Sequence, residues 1–204
     1  MVDDRELAAI AGDTYVAAPT WRAGDVHALF TRRPGLRIIA VRGTTADPSD
    51  WLRDLSAMPA HDRDLGFCHQ GFLTGARALF AEIIGHGAAP GISVRGAVLT
   101  GHSMGGAIAL LLAGVLTARE MPPRAVVTFG APRCGSWKLR RLLRRVPLRL
   151  YRNGDDPVPD VPWLPGLYLH PRALMPIGEP AFDPLADHPI AAYRRALAAI
   201  EETC

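Results

Sequence analysis

A short segment near the middle of the chain has the pattern of a catalytic serine on a tight turn. Residues 101–105, with the sequence GHSMG, match G-x-S-x-G, in which the two glycines leave room for the backbone to fold closely around the serine. The apolar residues before the segment predict a strand and those after it a helix, which is the setting that such a turn requires. We therefore expect Ser103 to be a nucleophile; the alternative is a glycine-rich turn without chemistry. His102 is not expected to be its base, because the side chain of a direct neighbour on a tight turn points elsewhere.

A serine nucleophile needs a histidine base and an acid that orients it, and candidates for both follow the turn in the sequence. The acid should lie just after a strand, and Asp155 and Asp156 follow a predicted strand, with Asp160 as a third candidate. Two histidines lie downstream. His170 falls inside another predicted strand, whereas His188 falls in a loop before the last predicted helix, and the pattern favours His188 as the base.

Acyl transfer also needs two N–H donors for the negatively charged oxygen of the tetrahedral intermediate. One is expected from the backbone N–H of Met104, which follows the nucleophile, and the other from the loop after an earlier strand. Residues 43–45, with the sequence GTT, follow such a strand. We assign the second donor to Thr44, through its N–H and its hydroxyl; the alternative is an ordinary Gly-Thr turn.

One apolar helix face is a candidate for substrate contact. Trp51, Leu52 and Leu55 share a face of the helix predicted at 47–57. These side chains are expected to cover or line a groove for an acyl chain. Ordinary core packing would produce the same pattern.

Strands and helices alternate through the middle of the chain, which predicts a mainly parallel sheet with helices on both faces. At 204 residues the chain has the length of one domain, so we expect a single small α/β domain over 1–204. The predicted strands are 27–32, at a sheet edge, and 36–41, 93–100, 125–129, 147–152 and 167–174. The predicted helices are 2–16, 47–57, 70–84, 104–119, 135–145 and 190–201.

Several motifs together resemble the class 3 lipase family, the fungal-type triacylglycerol lipases. In order along the chain they are VRGTT at 41–45, DWLRDL at 50–55, HQGF at 69–72, GHSMGG at 101–106, TFGAPR at 128–133, NGDDPVP at 153–159, YLH at 168–170 and DH at 187–188, followed by Tyr193. The resemblance implies the α/β-hydrolase fold. It selects Asp156 over Asp155, because the family's acid directly precedes x-V-P, and it makes His170 structural and His188 catalytic. The chain is shorter than typical fungal members, and from its sequence we expect neither their secretion signal nor their disulfides.

The resemblance implies an ester hydrolase that cleaves carboxylic esters, acylglycerol lipids above all, through an acyl-enzyme and without a metal or an organic cofactor. A short-chain carboxylesterase or a phospholipase on the same triad is the alternative within this class. A lipid-binding module that keeps the fold without catalysis is the alternative from another class. The expected partners are an ester or lipid substrate and, transiently, a lipid surface, with no nucleic acid.

Charge and composition indicate which partners and which cellular compartment to expect. The net charge is +3, and basic residues are concentrated in the segment 133–152. Such a cluster attracts an anionic lipid surface or nucleic acid, although a solvated helix with cations near its C-terminus has the same composition. The three cysteines are too few and too scattered for a disulfide framework and fit a reducing compartment. No signal-peptide pattern opens the chain and its longest apolar run, 105–116, is too short for a membrane span, so we expect a soluble, cytoplasmic protein.

Overall fold

The computed structural model describes residues 3–43, 58–85, 94–164 and 166–202. Its strands are β1 (Trp21–Ala23), β2 (Val26–Arg33), β3 (Leu36–Val41), β4 (Pro59–Asp62), β5 (Gly66–His69), β6 (Val98–His102), β7 (Ala125–Phe129), β8 (Leu148–Asn153) and β9 (Met175–Ile177). Its helices are α1 (Asp4–Asp13), α2 (Gln70–Gly85), α3 (Met104–Thr117), α4 (Trp137–Leu142) and α5 (Ile190–Glu202).

The main sheet has seven strands in the order β1-β2-β3-β6-β7-β8-β9, and β4 pairs with β5 in a separate hairpin. The first three strands are antiparallel, and every pairing from β3 to β9 is parallel. Val41, Gly101, Thr128 and Leu150 lie side by side in register. The loops that follow β3, β6, β7 and β8 therefore leave the sheet along the same edge, which is where sites form in open α/β sheets.

Helices cover both faces of the sheet because successive strand residues point to opposite sides. Ile39 and Val41 of β3 pack into a core with α2, α3 and α4, whereas Ile38 and Ala40 pack into a second core with α1 and α5. Helix α3 is buried at every position from 105 to 116. Its apolar sequence follows from this position, because it packs on the sheet and against α2 and α4 and presents no face to water.

The structure confirms the predicted strands 36–41 and 125–129 and corrects others. The segment 27–32 belongs to β2, which is not the edge, because β1 pairs on its outer side. Strand β6 begins at Val98, later than the predicted start at 93, and extends to His102, two residues beyond the predicted end at 100. The strand predicted at 167–174 is wrong: one residue there, Leu169, makes an isolated β-bridge, and the neighbouring strand β9 begins at 175. Pro171 interrupts that segment, and it has no backbone N–H for a ladder.

The hairpin of β4 and β5 was not predicted, because its strands are only four residues long and include polar residues. The carboxylate of Asp62 stabilises its turn by accepting the backbone N–H groups of Asp64 and Leu65. Arg77 of α2 donates to the same carboxylate.

Five of the six predicted helices are present with ends that differ by at most three residues, while the helix predicted at 47–57 lies outside the described residues. The segment 135–145 contains the six-residue α4 followed by a 3-10 turn, Leu143–Arg145. Within the described ranges, no helix combines the length and the apolar character needed to cross a bilayer.

Candidate active site

Ser103 lies in the sharp turn between β6 and α3, at the sheet edge where the parallel strands end. Its backbone has φ 55° and ψ −132°, a conformation that a residue with a Cβ adopts only under strain. The turn is tight enough that a Cβ on Gly101 would lie 2.6 Å from the backbone of Gly105, and one on Gly105 would lie 2.2 Å from the carbonyl oxygen of Val41. The two glycines of the motif are therefore required by close backbone contact on both sides of the serine.

The structure brings Ser103 together with His188 and Asp156. The Nε2 atom of His188 is 2.9 Å from the Oγ atom of Ser103, and its Nδ1 atom is 2.9 Å from the Oδ2 atom of Asp156. Because an ionised carboxylate only accepts hydrogen bonds, Nδ1 carries the proton and Nε2 is free to accept the serine hydroxyl. At most 2% of any of the three residues is exposed to solvent.

The carboxylate of Asp156 has further donors besides the imidazole. Its Oδ2 atom accepts the hydroxyl of Tyr193 at 2.6 Å, and its Oδ1 atom accepts the backbone N–H of Val158 at 2.9 Å. Burial raises the pKa of Tyr193 well above its ordinary value, and the neighbouring Asp156 adds to this, so the phenol keeps its proton and donates it. The acid is thus fixed in position by three donors from three segments of the chain.

Gly130, directly after β7, provides the space in which these groups meet. A Cβ at this position would lie 2.8 Å from Oδ2 of Asp156, 2.9 Å from the hydroxyl of Tyr193 and 3.2 Å from Cε1 of His188. Its φ of +61° is also in the left-handed region, which favours glycine. The loop after β7 can approach the acid and the base only because this residue has no side chain.

His102 forms a hydrogen bond to the backbone of the loop that contains His188. Its Nε2 atom is 2.7 Å from the backbone carbonyl oxygen of His188, and its Nδ1 atom is 2.7 Å from the hydroxyl of Tyr15. Burial, followed by the proximity of His188, lowers the pKa of His102 to about 3, so the ring is neutral. The carbonyl can only accept, so Nε2 donates to it and Nδ1 accepts the Tyr15 hydroxyl. Both ring nitrogens are therefore engaged away from the Ser103 hydroxyl.

Tyr15 links this support to the loop after β3. The backbone of Gly43 makes a hydrogen bond to the Tyr15 hydroxyl, and burial raises the pKa of that phenol to about 12. Hydrogen bonds thus run from Gly43 through Tyr15 and His102 to the backbone of His188. They join the N-terminal part of the chain, the loop after β3 and the loop before α5.

A second set of hydrogen bonds joins the loops of the acid and the base. The side chain of Asn153 donates to the backbone carbonyl of Asp187 at 3.0 Å. The Oδ2 atom of Asp187 accepts the backbone N–H groups of Asp155 and Ala181, each at 3.0 Å. The residue next to the base is therefore tied to the turn that contains the acid.

Among the described residues, no side-chain hydrogen bond or salt bridge joins the other acid and base candidates to Ser103 or His188. Asp155 is exposed, and Asp160 forms salt bridges with Arg133 and Arg152, each at 3.1 Å. The Nε2 atom of His170 lies 2.7 Å from a backbone carbonyl in the loop after the acid, and burial lowers the pKa of this histidine. His170 thus has the location of a structural residue.

Of the residues expected to hold the oxyanion, Met104 is the first residue of α3, so its N–H belongs to the turn of the helix that has no intrahelical acceptor. The close contact of Gly105 with Val41 and Arg42 brings this N–H near the end of β3. The remaining predicted site residues lie outside the described part of the chain: Thr44, Trp51, Leu52 and Leu55.

Sequence reasoning missed the parts that Tyr15 and Gly130 play in the site, and it gave no function to the Tyr193 hydroxyl. Gly130 lies within TFGAPR and Tyr193 follows DH, so the resemblance already marked both segments. Tyr15 lies in a turn after α1 and belongs to no recognisable motif. The packing of α1 on the sheet, against β6 and beside α5, brings it to the site.

Comparison with known proteins gives a family and two groups of relatives. The family model described as Lipase (class 3) matches residues 38–165. The chain is 35% identical over 94 residues to the chloroplastic phospholipase A1-Igamma2 of Arabidopsis thaliana, an alignment that covers 40% of this chain and 17% of that protein. It is 40% identical over 68 residues to the chloroplastic phospholipase A(1) DAD1 of the same plant, covering 31% and 15%. The matches thus span less than a fifth of the length of either relative.

Solved structures of fungal lipases are similar over most of the chain. The Rhizomucor miehei lipase in its propeptide complex has a TM-score of 0.66 at 23% identity, with 85% of this chain and 67% of that chain covered. The nonglycosylated LIP2 lipase of Yarrowia lipolytica has a TM-score of 0.62 at 19% identity, with 85% and 77% covered. At these identities the similarity establishes the fold, which is that of the α/β-hydrolases.

Proposed function

Because this chain belongs to the class 3 lipase family, we propose that it is a serine hydrolase of carboxylic esters, with Ser103 as the nucleophile. His188 is the general base in this proposal, and Asp156 orients it. The observation on which the proposal depends is the pair of hydrogen bonds, each 2.9 Å long, that connects the serine hydroxyl through the imidazole to a buried carboxylate. The strained backbone of Ser103 supports it further, because strain of this kind concentrates at functional sites.

The first half of the proposed reaction forms an acyl-enzyme. Nε2 of His188 takes the proton of Ser103 as Oγ attacks the ester carbonyl carbon, and Asp156 stabilises the imidazolium that results. The backbone N–H of Met104 and, in the loop after β3, that of Thr44 hold the oxyanion. When the tetrahedral intermediate collapses, the imidazolium gives its proton to the leaving alkoxide, which departs as an alcohol.

The second half releases the acid. Water takes the place of the alcohol and loses a proton to His188 as it attacks the acyl carbon. The oxyanion forms again at the same two N–H groups, and its collapse returns the proton to Ser103. Tyr193 and His102 act as positioning residues in this proposal, because both are buried and each forms a hydrogen bond to one member of the triad: Tyr193 to the Asp156 carboxylate and His102 to the backbone carbonyl of His188.

Acylglycerol lipids are the proposed substrate class. Family membership supports a lipid ester, and Trp51, Leu52 and Leu55 are the side chains proposed to contact its acyl chain. The match to two proteins named phospholipase A1 favours phospholipid as the second candidate substrate. Both substrates present the same ester to the same nucleophile.

A fluorophosphonate probe tests the catalytic proposal, because it forms a covalent bond only with an activated serine. We expect rapid labelling of the folded protein and none of Ser103→Ala. Hydrolysis of p-nitrophenyl esters of increasing chain length, in solution and as emulsions, then tests the substrate. Absence of labelling in the folded protein would favour a non-catalytic lipid-binding module. Labelling with a preference for the shortest soluble esters would replace the lipase by a carboxylesterase.

A further inference from the structure

The basic side chains of the Arg-rich segment lie on one outer surface of the molecule. Helix α4 and the 3-10 turn after it turn Leu139 and Leu143, four residues apart, into the core, where they are 1% and 0% exposed. Leu142 packs partly against the same core, whereas the charged residues between and around the two leucines are exposed. We call this surface the basic face, and its exposed residues are Trp137, Lys138, Arg140, Arg141, Arg144 and Arg145.

The positive charge of the basic face is concentrated and largely uncompensated. It holds five cations, more than the whole chain's net charge of +3, so the rest of the chain is net negative. Within the described part of the chain, no salt bridge joins any of these five to a carboxylate. One acid, Asp64, lies with four of them in a groove of about 380 Å³, and it is shared with Arg77 at 3.7 Å.

Trp137 adds an amphipathic anchor to this charge. It is 61% exposed, and the guanidinium of Arg140 lies 4.8 Å from the centre of its ring, a stacking that keeps both side chains on the same patch. Tryptophan next to arginine is suited to the headgroup layer of a membrane, where an indole finds apolar and polar surroundings together.

The basic face begins at the edge of the sheet that contains the candidate active site. Helix α4 connects the end of β7 to the start of the parallel strand β8, so it must run back along the sheet from that edge. Gly135, just before the helix, forms isolated β-bridges with Cys68 of β5 and with Leu169 in the loop after the acid. Trp137 therefore lies at the end of the face nearer the site.

We propose that the basic face binds an anionic phospholipid surface, with Trp137 in the headgroup layer and the five cations against the lipid phosphates and carboxylates. Charge complementarity favours an anionic partner, and the single aromatic side chain favours lipid over nucleic acid. A platform for bases needs several open rings, and one side of this ring is covered by Arg140. The binding does not depend on the catalytic proposal, because no residue of the face contacts Ser103, His188 or Asp156.

Sedimentation with vesicles tests this proposal on the Ser103→Ala protein, so that no lipid is hydrolysed. The vesicles are phosphatidylcholine alone or with about one-third phosphatidylserine. A basic residue at such a surface contributes about five-fold to the partition coefficient, so Arg141→Gln, Arg144→Gln and Arg145→Gln together should lower it about 100-fold. The control changes three exposed arginines outside the face and lowers the net charge equally: Arg22→Gln, Arg194→Gln and Arg195→Gln.

We expect binding to the anionic vesicles only, a steep loss with added salt, and a much smaller effect of the control variant. Equal binding to both kinds of vesicle, or no binding to either, would overturn the proposal. An equal loss in the control would show that binding follows net charge rather than this face. Tighter binding to DNA than to anionic vesicles at physiological salt would assign the face to nucleic acid. Labelling of Ser103 by fluorophosphonate reports on the catalytic proposal separately.

Discussion

Replacing Gly130 by alanine should damage the active site more than it damages the fold. The new Cβ would lie 2.8 Å from Oδ2 of Asp156 and 2.9 Å from the hydroxyl of Tyr193, whereas ordinary contact begins at 3.4 Å. The carboxylate and the phenol must therefore each move away from the backbone of residue 130 by about half an ångström. The carboxylate forms the hydrogen bond that orients the imidazole of His188, and the phenol donates to that carboxylate. A shift of either group therefore displaces the imidazole.

The size of the effect follows from two independent costs. A displacement of about 1 Å at a catalytic group costs about 100-fold in rate, so a shift of roughly half that size should lower kcat about ten-fold or more, with little change in KM. Holding alanine at a φ of +61° costs about 1–2 kcal/mol of stability. Separating the buried groups adds to this, for a total of about 2–3 kcal/mol.

Gly35→Ala is the matched control. Gly35 has a φ of +68°, and a Cβ there would meet nothing within 4 Å. This variant therefore pays only the backbone cost of about 1–2 kcal/mol, and its kcat should equal that of the wild type. Steady-state hydrolysis of a p-nitrophenyl ester, corrected for active protein by fluorophosphonate titration, gives kcat, and urea unfolding gives stability. Equal kcat values for the two variants would refute the view that Gly130 makes room for the acid and the base.

Three further predictions concern residues of the same site. Tyr193→Phe removes a buried hydrogen bond to the Asp156 carboxylate, so urea unfolding should show a loss of about 1.5–3 kcal/mol, and an unchanged value would mean that the hydroxyl is not needed there. Burial holds the pKa of His102 at about 3, below the unfolded value of 6.5. Between these two pH values unfolding takes up a proton, so the free energy of unfolding decreases as the pH falls from 6.5 towards 3. His102→Gln should lower the slope of unfolding free energy against pH by about 1.4 kcal/mol per unit near pH 5, whereas an unaltered slope would contradict a neutral ring. Ser103→Gly relieves the φ of 55° and should raise stability by about 1 kcal/mol, while Ser103→Ala keeps the Cβ and should not; equal melting temperatures would argue against strain.

Elements with a continuous local pattern could be predicted from the sequence. The strand 125–129 is a run of buried β-branched and apolar residues, and the helix predicted at 70–84 has a clear apolar face, so both were placed to within one residue. The strand predicted at 167–174 was wrong because its apolar residues belong to an irregular loop that packs on the protein. The composition of such a loop does not differ from that of a short strand. The short β1 and the hairpin of β4 and β5 are defined by their pairing partners, and local sequence contains no signal for those.

The site was predictable only in part, for a related reason. The serine turn is a local motif, so Ser103 followed from pattern and context. The pattern alone did not decide which of Asp155, Asp156 and Asp160 is the acid, because these residues differ in the direction of their side chains in the folded loop. The family resemblance was needed to select Asp156. The contact of Tyr15 with His102 joins residues 87 positions apart, and nothing in the sequence near either residue indicates it.

The stretch recognised by the family model, 38–165, includes Ser103 and Asp156 but neither His188 nor Tyr15. Helix α1, which precedes Tyr15, and helix α5, which follows His188, pack against each other on the same face of the sheet. The first and the last helix of the chain therefore form one layer of the fold. A fragment trimmed to the recognised stretch would keep the proposed nucleophile and lose the proposed base, His188, together with the hydrogen bond from Tyr15 that supports it. The shortest fragment that keeps the proposed triad together with its supporting hydrogen bonds therefore extends from α1 to α5.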